Sequence, residues 1–414
     1  MTRIQPRLRS GQPLWLQRPA HSARRYPTVS GAHATSVAIV GGGMTGALIA
    51  HAFASAGIAT TVLEAEMAGC GSTAASSALL LQEPDLELTK LIDRYGMHSG
   101  RRIWQLSHDS VDGLITLLRG LRIPCDLELS DSVYFASHEQ AVARLRAEHE
   151  LRQRCGFDGT WLGPAALRRT TGIAGPGAIR TRGSAQFDPY RACLGVLSAA
   201  AKAGAKVFER SQVRRIVTDG NRVHLRTRDA SIECDQVVIA TGYATPRFRP
   251  LAGRFRMYRT YVLVTEPLSA RERRQLGFSN VMVWDADRPY HYARWTPGHR
   301  LLLGGGDRLV RPGAGRLQQH RTAVAELRGW FEEKLPVISA IGTACTWEGL
   351  FATTPDSLPY IGPHRRYPRH WFALGYGGNG MTFGFLAARF LLERWQRERS
   401  PDHALFEFGR TRKG

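Results

Sequence analysis

The sequence predicts an α/β protein in which a parallel-sheet nucleotide-binding domain is interleaved with a second, α+β domain built on a mixed, largely antiparallel sheet. Three observations predict it. A strand, a glycine turn, a small-residue helix and a second strand follow one another between residues 36 and 64, the order of a βαβ unit. Buried-strand and helix signals of the same kind return far downstream, at 236–240 and 371–399. The sequence between them is rich in strand signals, so the domains exchange segments and do not follow one another like beads.

Residues 1–35 read as an irregular arm rich in Arg and Pro, with Trp15 as an anchor. A short buried strand at 36–40, a small-apolar helix at 44–56 and a strand at 59–63 form the βαβ unit. A helical pattern over 97–121 ends before Pro124. Strand or hairpin is expected at 127–136, and a charged helix at 138–154. The Gly- and Pro-bearing stretch 163–186 reads as a crossing between domains. There follow a helix at 190–202, a strand at 205–209, a hairpin over 213–228 turning at Asp219-Gly220, and a buried strand at 236–240. Strands of a second sheet are expected at 256–266 and 290–304, a helix at 320–334, a strand at 371–374 and a long closing helix at 380–399. The boundaries that follow are an arm at 1–35; a nucleotide-binding domain made of 36–125, 187–250 and 340–414; and a substrate domain made of 126–186 and 251–339.

The chain has 414 residues, 43% of them hydrophobic and 22% charged, which is enough for two cored domains. No run approaches about 18 uninterrupted apolar residues, so no membrane span is expected. The formal net charge of +21 is carried almost wholly by arginine, and no acidic residue precedes Glu64. The charge is dispersed, without a dense basic block, and reads as compositional drift, so no nucleic-acid partner is expected. The six cysteines are far apart and form no C-x-x-C pair, as in a protein with free thiols. Arg24-Arg25 is followed by a polar run and not by an apolar leader, so a cytoplasmic location is expected.

The strongest motif is Gly41-Gly42-Gly43-Met44-Thr45-Gly46, a G-x-G-x-x-G between a strand and a helix. Gly41 permits the tight turn, Gly43 lets a pyrophosphate approach the backbone, and Gly46 lets the helix pack close to the sheet. Glu64, followed by Ala65, ends the second strand where a carboxylate accepts from a ribose hydroxyl. These features define a Rossmann-type unit without separating nicotinamide from flavin dinucleotides. Gly71, Ser72, Thr73 and Ser76 then supply donors soon after Glu64, which a flavin's ribityl-phosphate chain needs.

Taken with Ala240-Thr241-Gly242, the run from Trp347 through Thr354-Pro355-Asp356 to Pro363, and Gly377-Gly378-Asn379-Gly380-Met381-Thr382, the chain resembles the amine-oxidising flavoproteins of the D-amino-acid oxidase, glycine oxidase and sarcosine oxidase family. The resemblance spans nearly the whole chain and is most specific in the two C-terminal blocks. It implies a Rossmann-type FAD-binding domain interleaved with the α+β substrate domain. Ala240, Thr241 and Gly242 would lie near the FAD phosphates, and Val213 would touch adenine. The helix opened by Gly380, Met381 and Thr382 would turn its free N–H groups toward the flavin, where negative charge develops on reduction. Members with covalent flavin carry a cysteine where this chain has Gly349, and the nearest cysteine is Cys345, so FAD is expected to be non-covalent.

Substrate residues are expected on the second sheet. Tyr290, Tyr292 and Arg294 alternate and share one strand face, an arrangement suited to clamping a carboxylate. Tyr258 and Tyr261 would cover the pocket, and His291 is a weaker candidate for proton transfer. The resemblance implies hydride transfer from the α-carbon of a neutral amine to flavin N5, and an imine that hydrolyses. The partners are then a small-molecule amine or amino acid and O2 or another electron acceptor. No lysine lies between residues 207 and 333, which leans toward a dehydrogenase or a slow oxidase. A tRNA-modifying flavoenzyme, a flavoprotein subunit of an electron-transfer complex and a plain NAD dehydrogenase stay open as alternatives. No metal site is expected, and the oligomeric state is left open.

Overall fold

The structure is a computed structural model that describes residues 8–17, 25–243, 245, 247–311 and 315–410. Much of the predicted arm, with Arg24 of the Arg24-Arg25 pair, lies outside the described residues. Gly31–Val40, Thr60–Leu63, Ala230–Gly242 and Tyr367–Leu374 run parallel, with Ile39 opposite both Val62 and Val238, and Val238 opposite Trp371. All of these central residues are apolar because a parallel sheet is covered on both faces. Lys206–Phe208 adds a parallel edge, and the hairpin of Arg215–Asp219 and Arg222–Arg226 closes the other side. Helices Met44–Ser55, Pro189–Lys202 and Gly380–Trp395 pack over one face, with Ala47, Ala50 and Ala387 keeping them close.

Among the described residues the second sheet has nine strands, antiparallel except where Val281–Asp285 runs parallel to Asp131–Ala136. Helix Arg316–Lys334 covers one of its faces, burying Leu327 and Phe331 against Tyr261, Leu263, Ala293 and Leu303. The other face carries Val262, Trp284, Tyr292 and Trp347 and turns toward the nucleotide-binding sheet, where it meets Trp15, Ala74 and Ala75.

Several elements differ from expectation. The first strand begins at Gly31, inside the expected arm, because residues 31–35 pair with 230–234. Arg9–Gly11 is also ordered, as an edge strand against Gly349, Glu348 and Trp347. The long helix starts at Leu88 and breaks at Gly96, whose φ of 80° only glycine adopts readily. The stretch 163–186 contains helix Pro164–Thr171 and strands Gly177–Thr181 and Ala185–Gln186. The apolar run Val281–Asp285, not read from sequence, is a central strand. Thr343–Thr353, within the 340–414 segment given to the nucleotide-binding domain, pairs with Arg256–Thr265 in the second sheet.

The C-terminal tail is locked by one buried ion pair. Arg410 donates from Nε to Asp356 Oδ2 at 2.8 Å, from Nη2 to Asp356 Oδ1 at 3.0 Å, and from Nη1 to the Phe406 carbonyl at 2.8 Å. The guanidinium holds the Asp356 carboxyl below the usual range against the opposing effect of burial. Removing one partner of such a pair strands the other charge. Arg410→Ala is expected to cost about 3 kcal/mol in a denaturant titration.

Candidate active site

A cavity of about 830 Å³ runs between the two sheets, within the size range of cofactor and substrate sites. At one end the chain turns at Gly41, with φ at 115°, and a Cβ there would come within 2.5 Å of the Ala240 carbonyl. Gly46 is tighter still: a Cβ would lie 1.9 Å from the Gly41 carbonyl oxygen. Gly46 therefore serves the approach of helix to turn and stands behind the cavity wall, while Gly41, Gly43, Met44 and Thr45 form that wall.

Glu64 Oε2 accepts from Gly42 N at 2.6 Å and Oε1 from Glu66 N at 2.9 Å. Burial pushes the Glu64 carboxyl up, and these backbone N–H groups oppose the shift. Ala65 lies beside it on the wall. Val213, Ala240, Thr241 and Gly242 complete this end.

The Ser-rich segment is pinned from behind. Its main-chain carbonyls accept from Trp15 Nε1 at Ser76 (2.8 Å), from Trp347 Nε1 at Ala75 (2.9 Å) and from Arg294 Nε at Ser77 (2.7 Å). Thr73 Oγ1 accepts from Met44 N at 3.0 Å, and Gly71, Ser72 and Ser76 face the cavity. Trp15 thus anchors the arm as expected.

The C-terminal turn brings Gly377, Gly378, Asn379, Gly380 and Met381 to the cavity, with Thr382 buried just behind. The Gly378 N–H is donated to Asp85 Oδ2 at 2.6 Å. Asn379 Oδ1 accepts from Asp85 N at 2.8 Å, and Asn379 Nδ2 donates to the Glu83 carbonyl at 3.2 Å. Asn379 therefore staples residues 83–85 to the turn. Among the described residues, the N-cap residues Asn379 and Gly43 give no side-chain cap to the helices starting at Gly380 and Met44, while Thr73 Oγ1 takes the Met44 N–H. Two helix N-termini thus open onto one cavity, an arrangement suited to anionic or carbonyl oxygens.

The substrate residues sort differently from expectation. Tyr290 and Tyr292 line the cavity, and Tyr292 Oη lies 3.4 Å from Thr260 Oγ1. Burial pushes the Tyr292 hydroxyl up to about 12 and Tyr290 higher, so both stay protonated at neutral pH. Arg294 shares the strand face with Tyr292 but lies past the cavity wall, buried under Trp15. Beyond Ser77, its guanidinium donates to the carbonyls of Phe187 (3.0 Å) and Trp295 (3.1 Å). Three of its five N–H donors go to main chain and it stands outside the cavity lining, so it clamps no carboxylate from this cavity. Tyr261 points to the opposite side, into the core under Phe331, because period-two alternation puts Thr260 on the cavity side. Tyr258 stacks on Phe351, which does line the cavity. His291 turns away as well, with Nδ1 2.8 Å from Asp285 Oδ2 and its ring stacked on Trp330.

Arg288, Asp85, Thr260 and Trp284 line the cavity and were not singled out from sequence. No motif marks them, because they come from two loops and two strands joined only in the fold. Gly349 forms part of the wall, whereas Cys345 pairs with Val264 farther along its strand and does not.

The two helix N-termini, the Glu64 carboxylate and the hydroxyl-bearing Ser72–Thr73 turn fit a dinucleotide, and a second glycine turn beyond them leaves room for a flat ring. This is the site of a flavin-dinucleotide oxidoreductase. The chain belongs to the FAD dependent oxidoreductase family, whose match covers residues 36–394. It is 24% identical to glycine oxidase of Bacillus subtilis over 372 residues, covering 83% of this chain and 88% of that one. It is 21% identical to "Probable oxidoreductase OrdL" of Haemophilus influenzae, covering 89% of this chain and 84% of the other. Among solved structures, glycine oxidase from Geobacillus kaustophilus superposes with a TM-score of 0.77 at 22% identity, over 92% of this chain and all of that one. The protein is an FAD-dependent enzyme whose relatives include amino-acid oxidases and dehydrogenases. Among the described residues, no helix is long and apolar enough to cross a membrane.

Replacing Glu64 with Ala removes a carboxylate that lines the cavity and ties Gly42 to Glu66. Titration of the apoprotein with FAD, followed by flavin fluorescence, is expected to show affinity reduced by about tenfold or more, the worth of a charge-assisted hydrogen bond.

Proposed function

We propose that the protein oxidises the C–N bond of a small amine or amino acid, with a substrate carboxylate, where present, held by Arg288. The observation that carries this reading is the chamber formed by Arg288, Tyr290, Tyr292 and Thr260 against the glycine turn. A Cβ on Gly378 would come within 2.9 Å of the Tyr290 hydroxyl, so substrate-sheet side chains and the flavin-side turn meet directly. FAD, when bound, supplies the two-electron acceptor for the C–H bond beside nitrogen.

The protein's own task is to place that bond and keep water away. Trp284 closes one wall, stacked on Tyr134 with ring centroids 3.8 Å apart. The Arg288 ring-facing contact with Tyr290, at 5.7 Å from the centroid, keeps the guanidinium at the chamber. The two protonated tyrosines offer hydroxyl donors to a carboxylate or carbonyl oxygen. The imine formed would leave for hydrolysis to a carbonyl compound. Gly349 at the wall, in the place of a flavin-linking cysteine, supports non-covalent FAD. Six unpaired cysteines accord with a reducing cytoplasm, and O2 or another acceptor completes the cycle.

Anaerobic mixing of the yellow protein with a panel of amines and amino acids tests this reading: bleaching of the flavin by at least one is expected, and bleaching by none would refute it. Arg288→Ala is expected to raise the KM of a carboxylate-bearing substrate by about 30-fold, the loss of a charge-assisted contact of roughly 2 kcal/mol. Arg294→Lys, by contrast, is expected to lower thermal stability and leave that KM unchanged.

A further inference from the structure

The arm strand Arg9–Gly11 is tied to both walls of the cavity. On the substrate side it pairs with Trp347, Glu348 and Gly349. That ladder is extended at each end: the Leu8 carbonyl accepts from Leu350 N at 2.8 Å, and Gln12 N donates to the Thr346 carbonyl at 3.2 Å. On the cofactor side Arg9 Nε donates to the Cys70 carbonyl at 2.5 Å, and the Trp15 indole holds Ser76. Between these walls Leu8 lines the cavity, beside Gly71, Ser72, Gly349 and Leu350. A Cβ on Gly71 would come within 2.9 Å of Leu8 Cδ1, so that glycine leaves the space the leucine side chain fills.

The arm is nevertheless easy to open. Its strand is three residues long and lies at the edge of the sheet, with Ser10 and Gly11 exposed. A short edge strand of this kind unpairs locally without unfolding the core. Strand Thr343–Thr353 keeps its other partner, Arg256–Thr265, when the arm leaves. Trp15, fully buried, keeps the chain fastened just beyond. A ligand that fills the cavity gives Leu8 apolar surface to cover, and lifting the arm then returns that surface to water.

We propose that residues 8–12 form a clasp on the cofactor: Leu8 covers bound FAD beside the Ser72–Thr73 turn, and the arm strand must unpair before the flavin leaves. One short segment thus binds the Cys70 carbonyl on the cofactor side and Thr346 and Leu350 on the substrate-sheet side. Closing it fixes the width of the cleft at that point. The flavin is then retained by a mechanical tie across the cleft and not by a bond to the protein. The clasp depends on FAD in the cavity and not on which molecule is oxidised, so the amine reading and the clasp stand or fall separately.

The test follows FAD release from the holoenzyme, read as the rise in flavin fluorescence after dilution, in the unaltered protein, Leu8→Ala, Gly11→Val and Ser10→Ala. Gly11 has φ of 81°, and a Cβ there would lie 2.4 Å from the Thr346 carbonyl oxygen. Gly11→Val therefore lifts the arm without altering a cavity residue, and the melting temperature of each apoprotein checks the fold. Release is expected to quicken by about tenfold or more in Gly11→Val and about fivefold in Leu8→Ala, and to hold in the exposed Ser10→Ala. Hydrogen exchange at residues 8–12, followed by mass spectrometry, is expected to slow by about tenfold when FAD is added to the apoprotein, because a ligand that binds the closed arm keeps it closed. Release at the unaltered rate from both Leu8→Ala and Gly11→Val would overturn the clasp, as would arm exchange that FAD does not slow. Release from Ser10→Ala as fast as from Gly11→Val would overturn it too, since any change in the arm would then act alike.

Discussion

Main chain approaching main chain without intervening side chains is the constraint on which the rest of the molecule depends. Helix Met44–Ser55 lies so near the turn before it that a methyl group at Gly46 would overlap the Gly41 carbonyl, at 1.9 Å. That contact sets the height of the helix over the sheet and aims its N-terminus at the cavity. At the opposite end of the chain the turn at Gly377–Gly378 makes room for side chains, since a Cβ at either position would meet the Asp85 carboxylate. A cofactor site made of backbone N–H groups and a buried carboxylate gains rigidity from the sheet itself, because its donors are the ends of regular elements.

Around that frame the protein spends many buried donors on holding loops in place. Trp15, Trp347 and Arg294 each give a hydrogen bond to a carbonyl of residues 75–77. Asn379 holds residues 83–85. Arg294 illustrates how alike positioning and substrate-binding arginines look in a sequence. Burial pulls its guanidinium down to about 9, and three of its five N–H donors are held by main-chain carbonyls behind the cavity wall. Its one link to the cavity wall is the hydrogen bond to the Ser77 carbonyl.

The substrate chamber is assembled from distant pieces: residue 85 from a loop after the Ser-rich segment, 260 from one strand, and 288, 290 and 292 from a loop and strand. Strand Arg300–Leu309 carries a β-bulge where Gly306 and Asp307 together oppose Thr260, and the run Gly304-Gly305-Gly306 was its one local sign. Gly304 also makes room for the Tyr292 ring, which a Cβ there would meet at 2.3 Å. The chamber is therefore shaped by glycines as much as the cofactor end is, but on a sheet whose register no local pattern announces.

The sequence by itself determined the βαβ unit, the glycine turns, Glu64, the Ser-rich segment and the closing helix. It could do so because each of these depends on local geometry: where backbone must turn or come close, only glycine serves, and the spacing of strand, turn and helix is written along the chain. It also determined that Tyr292 and Arg294 share a face. Only the tertiary structure decided how deep each residue sits along that face, which put Tyr292 in the cavity and Arg294 behind it. The same holds for Tyr261 against Thr260, and for Asp307, whose side a single inserted residue reversed. Depth and parity in an antiparallel sheet are fixed by pairing with strands far away in sequence, and a one-residue step exchanges the two faces.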